Sequence, residues 1–402
     1  MTRSGSAIAL TGYHEKTVKD GFAARLALFY AAVFVFTGVQ LPFFPVWLEA
    51  KGLSPQEIGI VLAAPVAVRV LTAPLAARLI DRFAAPESAL AAILLAAAGG
   101  YALVGIGHGF LPVLGAVALA SVAFAQVMPL TDAYALRGLA WRSRGYGPVR
   151  LWGSASFIVT NMATGVLLGF VARESLIWLM VAPLAGAAAV ALFLPPSRPK
   201  EPRGQEGAQP ASSLWRVPTF VGVLLAASAI QASHALYYGF SALDWAGRGL
   251  SGTAVGALWA LGVVAEIALF AWSERLPAAL GSIPLIVLGG SGAVVRWIVM
   301  ALDPPSVLLP ALQCLHALSF AATHLGAMQF LANAVPARLG ATAQGDYATV
   351  QAVAMTVATA LSGTLYAAYG GVAYAAMSAM AAAGVTVALI AWRVDHRAAA
   401  KP

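Results

Sequence analysis

The 402-residue chain is 60% hydrophobic and only 10% charged, and its formal net charge is +8. Because soluble domains carry roughly 25% charged residues, this composition argues against a soluble protein and indicates a membrane protein. The basic residues lie in short connections rather than in a stripe interleaved with aromatic residues, so the positive charge does not indicate nucleic-acid binding.

Twelve apolar runs follow one another along the chain. A helix needs about 20 residues to cross the hydrocarbon of a bilayer, whereas a membrane strand needs only about 9–11. The length of the runs therefore predicts an all-α membrane protein with twelve transmembrane helices. The predicted spans are 24–47, 56–80, 88–107, 110–136, 147–171, 175–195, 217–243, 252–273, 279–302, 305–333, 341–368 and 371–392.

A segment rich in proline, glycine and charge, PPSRPKEPRGQEGAQPASS at 195–213, divides the spans six and six. Its composition is typical of a flexible linker. The motif AARLIDRF after the second span is echoed by FAWSERL after the eighth, which indicates a repeat. We expect two pseudo-symmetric six-helix halves at 1–195 and 217–402, a cytoplasmic linker at 196–216, and a substrate site between the halves at mid-membrane.

Lysine and arginine are distributed unevenly between the two sides of the predicted helices. Of the 24, 18 lie at the termini or in the connections on the same side, and three, Lys51, Arg173 and Arg248, lie in the opposite connections. Residues 1–21 lack the apolar core of a cleavable signal peptide. Since basic residues concentrate on the cytoplasmic side, we expect a multi-pass protein of the cell inner membrane with both termini in the cytoplasm.

Two opposite charges, Asp132 and Arg150, lie inside neighbouring apolar spans on either side of a short basic link centred on Trp141. Each is nine residues from Trp141, so an antiparallel hairpin brings both to the same depth. A lone charge at that depth costs about 2.5–3.5 kcal/mol on insertion scales. The two can form an ion pair or share a water-filled cavity. A pair that only sets the helix register is the other interpretation, and we favour a functional role because buried pairs rarely add net stability.

The second half carries its own buried set, Glu266, Arg296 and His316, in the predicted eighth, ninth and tenth spans. Glu266 and His316 are the groups that can gain and lose a proton. A hydrogen-bonded core histidine is an equally good interpretation of His316 alone, but an unpaired buried carboxylate such as Glu266 is expensive. The pattern therefore indicates a site for protons or substrate.

A polar and aromatic helix face in the seventh span is formed by His234, Tyr237 and Tyr238 at spacing i, i+3 and i+4. This face suits a ligand surface, although hydrogen bonding between helices explains it nearly as well. The spans also contain Arg69, whose role stays open. Three arginines against two carboxylates leave one positive charge in excess, which favours an anionic substrate.

The stretches KGLSPQEIGIVLAAPVAVRVLTAPL and YGPVRLWGSASF, together with these buried charges, resemble the major facilitator superfamily over essentially the whole chain. The similar branch includes the lactose, 3-phenylpropionate and nucleoside proton symporters. The gating signature of the family's loop between spans two and three survives as ARLIDRF, with Asp81 and Arg82, while its later basic residues are replaced by AAPES. The resemblance implies a transporter that works by alternating access.

The resemblance implies substrate-binding roles for four residues. Asp132 and Arg150 match the pair that binds sugar hydroxyls in lactose permease, and Phe157 stands where that protein stacks a tryptophan on the sugar. Glu266 matches another carboxylate that contacts substrate. Loss of the tryptophan and the phenylpropionate-like stretches favour an aromatic or other carboxylate over a disaccharide.

The resemblance also implies that Arg296 and His316 belong to a proton-coupling cluster. Ser319 replaces the glutamate that carries the proton in lactose permease, and Gln313 replaces a lysine. The proton must then be carried elsewhere. The candidates are Glu266, Asp132 and His316.

The sequence therefore predicts proton-coupled uptake of a small organic solute such as an aromatic carboxylate. The substrate-binding prediction comprises Asp132, Arg150, Phe157, His234, Tyr237, Tyr238 and Glu266, and the proton-coupling prediction comprises Glu266, Arg296, His316 and Asp132. Proton-driven export of lipophilic compounds and sugar or nucleoside symport stay open as alternatives. We expect a monomer in the lipid bilayer, with a small-molecule substrate and the proton as partners, no nucleic acid, no cofactor, no metal and no catalytic residues.

Overall fold

A computed structural model describes residues 21–82, 86–196, 211–275 and 280–399, with the backbone alone at 73–82, 86, 211–213, 274, 337 and 397–399. Within these residues the chain forms fifteen α-helices. They are α1 Phe22–Ala50, α2 Pro55–Arg82, α3 Pro86–Ile106, α4 Phe110–Phe124, α5 Val127–Trp141, α6 Tyr146–Leu167, α7 Trp178–Ala191, α8 Pro218–Ala232, α9 Ala235–Gly247, α10 Gly252–Trp272, α11 Ser282–Ala301, α12 Leu309–Cys314, α13 Thr323–Ala334, α14 Gly340–Tyr369 and α15 Tyr374–Ala399.

Ten stretches of the described chain are long and apolar enough to cross a membrane. One of them, Gly340–His396, covers α14 and most of α15, and three others each join two helices into one crossing. Helix α6 is 22 residues long but is not among the ten. The all-α membrane architecture is confirmed, and a count of twelve spans follows when α6 is included and α14 and α15 are counted separately.

Local sequence signals set several helix starts. The Ser54 hydroxyl accepts from the Glu57 backbone N–H at 3.4 Å, and the Glu57 carboxylate accepts from the Ser54 backbone N–H at 2.8 Å. This reciprocal capping box begins α2. Ser251 caps α10 by accepting from the Ala254 N–H at 3.2 Å, and Pro218 occupies the first turn of α8, where its missing N–H costs nothing.

Irregular turns interrupt the crossings at the depth of the buried polar residues. His234 lies in the two-residue break between α8 and α9, and His316 directly precedes a π-helical turn at Ala317–Ala322. Asp132 follows the break between α4 and α5 by six residues. Such interruptions are frequent at functional sites because they turn side chains and carbonyls away from regular helix positions.

Helices α2 and α14 meet tightly at one end of the bundle, where α2 begins and α14 ends. A Cβ at Gly59 would stand 2.9 Å from the Gly363 nitrogen and 3.0 Å from the Thr359 carbonyl oxygen. At the same end, a Cβ at Gly165 of α6 would meet the Gly252 carbonyl of α10. Only glycine lets the backbones approach this closely.

The predicted division into two halves stays a prediction, since residues 197–210 of the predicted linker lie outside the described chain. Helix α1 packs against α6 and α7, and α11 packs against α15 and α13. The predicted gating pair Asp81 and Arg82 lies in the last turn of α2, but its side chains lie outside the described part of the structure.

Candidate functional site

Two adjoining cavities lie between helices α1–α6 and helices α9–α14. The larger has a volume of about 490 Å³ and the smaller about 250 Å³. Leu41 and Tyr238 line both, so the two cavities share a wall. The smaller cavity is lined by Phe34, Thr37, Leu41, Arg150, Ser154, Phe157, Tyr237, Tyr238, Trp259, Val263, Glu266, His316 and Phe320.

Asp132 of α5 lines the larger cavity and is held by two tyrosines. The Tyr30 hydroxyl donates to its Oδ1 at 2.6 Å, and the Tyr146 hydroxyl donates to the same oxygen at 2.9 Å. Hydrogen bonds to an ionised acceptor are stronger than neutral ones and stabilise the carboxylate at this depth. Both tyrosines belong to neighbouring helices, α1 and α6, so Asp132 ties three helices together.

Arg150 of α6 lines the smaller cavity and lies against aromatic rings rather than against Asp132. Its guanidinium carbon is 4.2 Å from the Phe34 ring centroid and 5.5 Å from that of Tyr30. Among the described residues no carboxylate lies within 4.0 Å of it, so the ion pair with Asp132 is not formed in this conformation. Cation–π contact stabilises the charge and leaves the guanidinium N–H groups available to a ligand.

The opposite wall of the smaller cavity holds a connected polar network around Arg296, which is fully buried. Its Nη1 lies 3.0 Å from His316 Nδ1 and donates to Ser319 Oγ at 3.3 Å, while Nη2 donates to Gln313 Oε1 at 2.8 Å. The guanidinium also lies over the ring of Tyr237 at 4.6 Å. No carboxylate touches Arg296 within the described chain, so neutral acceptors and ring faces surround the charge.

The direction of the hydrogen bonds follows from the arginine, which always donates. Because Arg296 donates to His316 Nδ1, that nitrogen carries no proton and the ring proton sits on Nε2. His316 Nε2 lies 3.7 Å from Glu266 Oε2, so the N–H faces the carboxyl group. Glu266 and Arg296 are therefore coupled through a neutral histidine with one defined tautomer.

The same logic extends to the other end of the network. Ser319 accepts from Arg296, so its own hydroxyl proton is free to donate to His234 Nε2 at 3.0 Å. His234 then carries its proton on Nδ1, which lies 3.1 Å from the Gln231 carbonyl oxygen. Each of the two histidines has an assigned tautomer, and Ser319 and Gln313 both accept hydrogen bonds from the charged Arg296.

Aromatic rings make up most of the remaining lining. Tyr237 stacks on Trp259 with centroids 4.6 Å apart, and Phe320 stacks on His316 at 5.2 Å. Phe157 also lines the smaller cavity, where the resemblance expected a stacking surface. The walls thus combine flat apolar faces with one available cation, an arrangement suited to an aromatic ring bearing an acid group.

The sequence did not single out four residues of α1 at the site, three that line the smaller cavity and one, Tyr30, that holds Asp132. Tyr30, Phe34, Thr37 and Leu41 recur every three or four residues along α1, and all four face the site. The spacing is present in the sequence, but α1 is strongly apolar along its length, so these four positions do not stand out from the others. The described chain contains no group of three or more histidine, cysteine, aspartate or glutamate side chains arranged to hold a metal.

The family model described as MFS_1 like family matches residues 23–383. The chain belongs to the MFS_1-like family. It is a membrane transporter and not an enzyme, as the sequence predicted, and the resemblance to the major facilitator superfamily is confirmed.

The relatives of this chain are named for different substrates. The chain is 33% identical over 353 residues to the "Probable 3-phenylpropionic acid transporter" of Escherichia coli (strain K12), covering 85% of this chain and 90% of the relative. It is 30% identical over 346 residues to the "Maltose permease" of Geobacillus stearothermophilus, covering 83% and 85%. The two names differ in substrate class, so the relatives establish transport and leave the solute to the chemistry of the site.

Solved structures show the same fold at low sequence identity. The nucleoside transporter NupG superposes with a TM-score of 0.75 at 15% identity, covering 92% of this chain and 98% of NupG. A bacterial homologue of the human lysosomal transporter Spinster, in an inward-facing and occupied conformation, superposes with a TM-score of 0.77 at 15% identity, covering 94% and 97%. At this level of identity the likeness speaks for the fold alone.

Proposed function

We propose that this transporter takes up an aromatic carboxylate together with a proton by alternating access. The observation that carries the proposal is the smaller cavity, where the available guanidinium of Arg150 and several ring faces lie opposite the Glu266–His316–Arg296 chain. The cavity therefore offers an anion site, a surface for an aromatic ring and a group that can carry a proton within one enclosure.

The substrate carboxylate binds Arg150. Its guanidinium can form two parallel hydrogen bonds with a carboxylate, and its contact with Phe34 orients it toward the cavity. The substrate ring packs between Phe157 and Trp259, which line the same cavity. Offset or edge-on aromatic contacts of this kind contribute about 0.5–1.5 kcal/mol each beyond the area they bury.

Glu266 carries the proton. When ionised, it is drawn toward the His316 N–H and so toward the charge of Arg296. When protonated, it has no net attraction to that chain and is free to turn toward substrate. A carrier that holds the proton without the solute has one more unbalanced positive charge than the empty or the fully loaded carrier, and that charge is expensive to move through a low-dielectric interior. A carrier that holds the solute without the proton places two carboxylates in the same cavity, and they repel each other. The empty and the fully loaded carriers can therefore both reorient, and transport of solute and proton is coupled.

The 33% identical relative named for 3-phenylpropionic acid supports an aromatic acid as the solute. The glycine-lined contacts between α2 and α14 and between α6 and α10 close the end of the bundle away from the chain termini. Together with the distribution of lysine and arginine, this closure supports an inner-membrane carrier whose conformation here opens toward the cytoplasm, with both termini on that side.

The test is uptake of radiolabelled 3-phenylpropionate into proteoliposomes with an imposed inward proton gradient. Wild-type protein should accumulate the acid and consume the gradient. Glu266→Gln should abolish accumulation but keep downhill exchange, because the amide cannot carry a proton. Glu49→Gln is the matched control, since that carboxylate lies outside both cavities and contacts Arg173 at 3.5 Å. Accumulation by Glu266→Gln at the wild-type level would refute the assignment of the proton carrier.

A further inference from the structure

A second arginine faces the binding region and takes no part in the cycle described above. Arg69 lies near the middle of the 28-residue helix α2 and lines the larger cavity. It forms no hydrogen bond or ion pair within the part of the chain that the structure describes. An arginine at this depth costs about 2.5–3.5 kcal/mol on insertion scales, so its retention needs a reason.

Two other polar side chains of the larger cavity already have partners. The Asp132 carboxylate accepts from two tyrosine hydroxyls, and the Ser121 hydroxyl donates to the Val117 carbonyl at 2.6 Å. Asp132 does not lie within 4.0 Å of Arg69. Among the described lining residues, Arg69 therefore presents the cation that is available to a ligand.

The two cavities adjoin, because Leu41 and Tyr238 line both. A solute bound at Arg150 in the smaller cavity therefore lies beside the cavity that Arg69 lines, with Leu41 and Tyr238 between the two. The surroundings of Arg69 are largely apolar, including Leu62 and Met355. Arg69 is an exposed residue, so a ligand in the cavity can reach its guanidinium.

We propose that Arg69 binds a second carboxylate of the substrate, so that the preferred solute is an aromatic dicarboxylate bridging Arg150 and Arg69. This inference rests on the proposed function. The charge count supports it: the site region holds three arginines, Arg69, Arg150 and Arg296, and two carboxylates, Asp132 and Glu266. When Glu266 takes up the proton, two positive charges are in excess. A dianion balances both of them, whereas a monoanion balances one.

The test compares two acids of the same scaffold, 3-phenylpropionate and 3-(4-carboxyphenyl)propionate, as competitors for uptake into proteoliposomes. For wild-type protein the dicarboxylate should compete about tenfold better, which corresponds to 1.4 kcal/mol of additional binding. In Arg69→Gln the ratio of the two inhibition constants should fall to about one. In Arg69→Lys, which keeps the charge but loses the planar fork, an intermediate ratio is expected.

The control is Arg275→Gln, an exposed arginine outside both cavities, which should keep the wild-type ratio. A ratio of inhibition constants near one in wild-type protein, or the full preference for the dicarboxylate retained in Arg69→Gln, would overturn the inference. Uptake of phenylpropionate in the same experiments would leave the proposed function standing. Uptake that requires chloride, and loses that requirement in Arg69→Gln, would instead assign Arg69 to a separate inorganic anion and overturn the dicarboxylate. If neither acid is transported, the proposed function falls and this inference falls with it.

Discussion

Replacing Gly59 with alanine should open the closed end of the bundle. The added Cβ would stand 2.9 Å from the Gly363 nitrogen, 3.0 Å from its Cα and 3.0 Å from the Thr359 carbonyl oxygen. All three are backbone atoms of α14, so no side chain can rotate away and the helices must separate. Overpacking of this kind costs about 1–3 kcal/mol. Because the cost falls on the closed arrangement alone, the population should shift by about 5–150-fold toward the conformation open at that end.

The shift can be measured by the accessibility of a cysteine in the larger cavity. Cys314 is the one cysteine of the chain, so Cys314→Ser supplies a background in which Met355→Cys is the single thiol. In oriented membrane vesicles, a membrane-impermeant maleimide added on the side away from the termini should label position 355 faster in the Gly59→Ala variant. In the same variant, labelling of position 355 should become slower when the maleimide is added on the side of the chain termini.

The matched control is Gly99→Ala on α3, where an added Cβ would meet nothing within 4 Å. Both substitutions raise helix propensity by about 1 kcal/mol, so this contribution cancels in the comparison. Equal labelling rates in the two variants from both sides would refute the argument that the contact between α2 and α14 closes this end.

Three further predictions concern the walls of the cavities. Gln313→Leu should lower the Tm of the purified protein in detergent, because the buried Nη2 of Arg296 loses its acceptor at 2.8 Å. A hydrogen bond to a charged group contributes about 1.5–3 kcal/mol, so an unchanged Tm would contradict this prediction. Arg150→Lys should raise the KM for uptake of an aromatic acid about tenfold. The ammonium group of lysine cannot make the planar contact with Phe34 or the paired hydrogen bonds to a carboxylate. An unchanged KM would show that Arg150 does not bind the substrate. Tyr146→Phe should destabilise the fold by about 1.5–3 kcal/mol by removing one of two donors to a half-buried carboxylate, as measured by chemical unfolding. Full retention of stability would show that the second hydroxyl suffices.

The candidate site was partly predictable because charge inside hydrocarbon is conspicuous. Glu266, Arg296 and His316 stand out in apolar spans on the sequence alone, and the structure brings all three together at the smaller cavity. Because Asp132 and Arg150 are each nine residues from Trp141, the sequence predicted that they lie at the same depth in the membrane. Depth alone does not decide which side chains are in contact. In the structure Asp132 binds tyrosines of two other helices, and Arg150 turns toward the rings of α1.

The sequence by itself determined that this is an all-helical membrane transporter and which charged residues lie within its apolar helices. A helix satisfies its own backbone hydrogen bonds, so an apolar run of sufficient length specifies a crossing without reference to any other segment. The tertiary structure decided the rest: the tautomer chain from Glu266 to His234, the two adjoining cavities, and the glycine contacts that close one end. These features depend on the rotation of each helix about its own axis. Packing against helices far away in the chain sets that rotation, and the strongly apolar α1 carries hardly any periodic signal from which to read it.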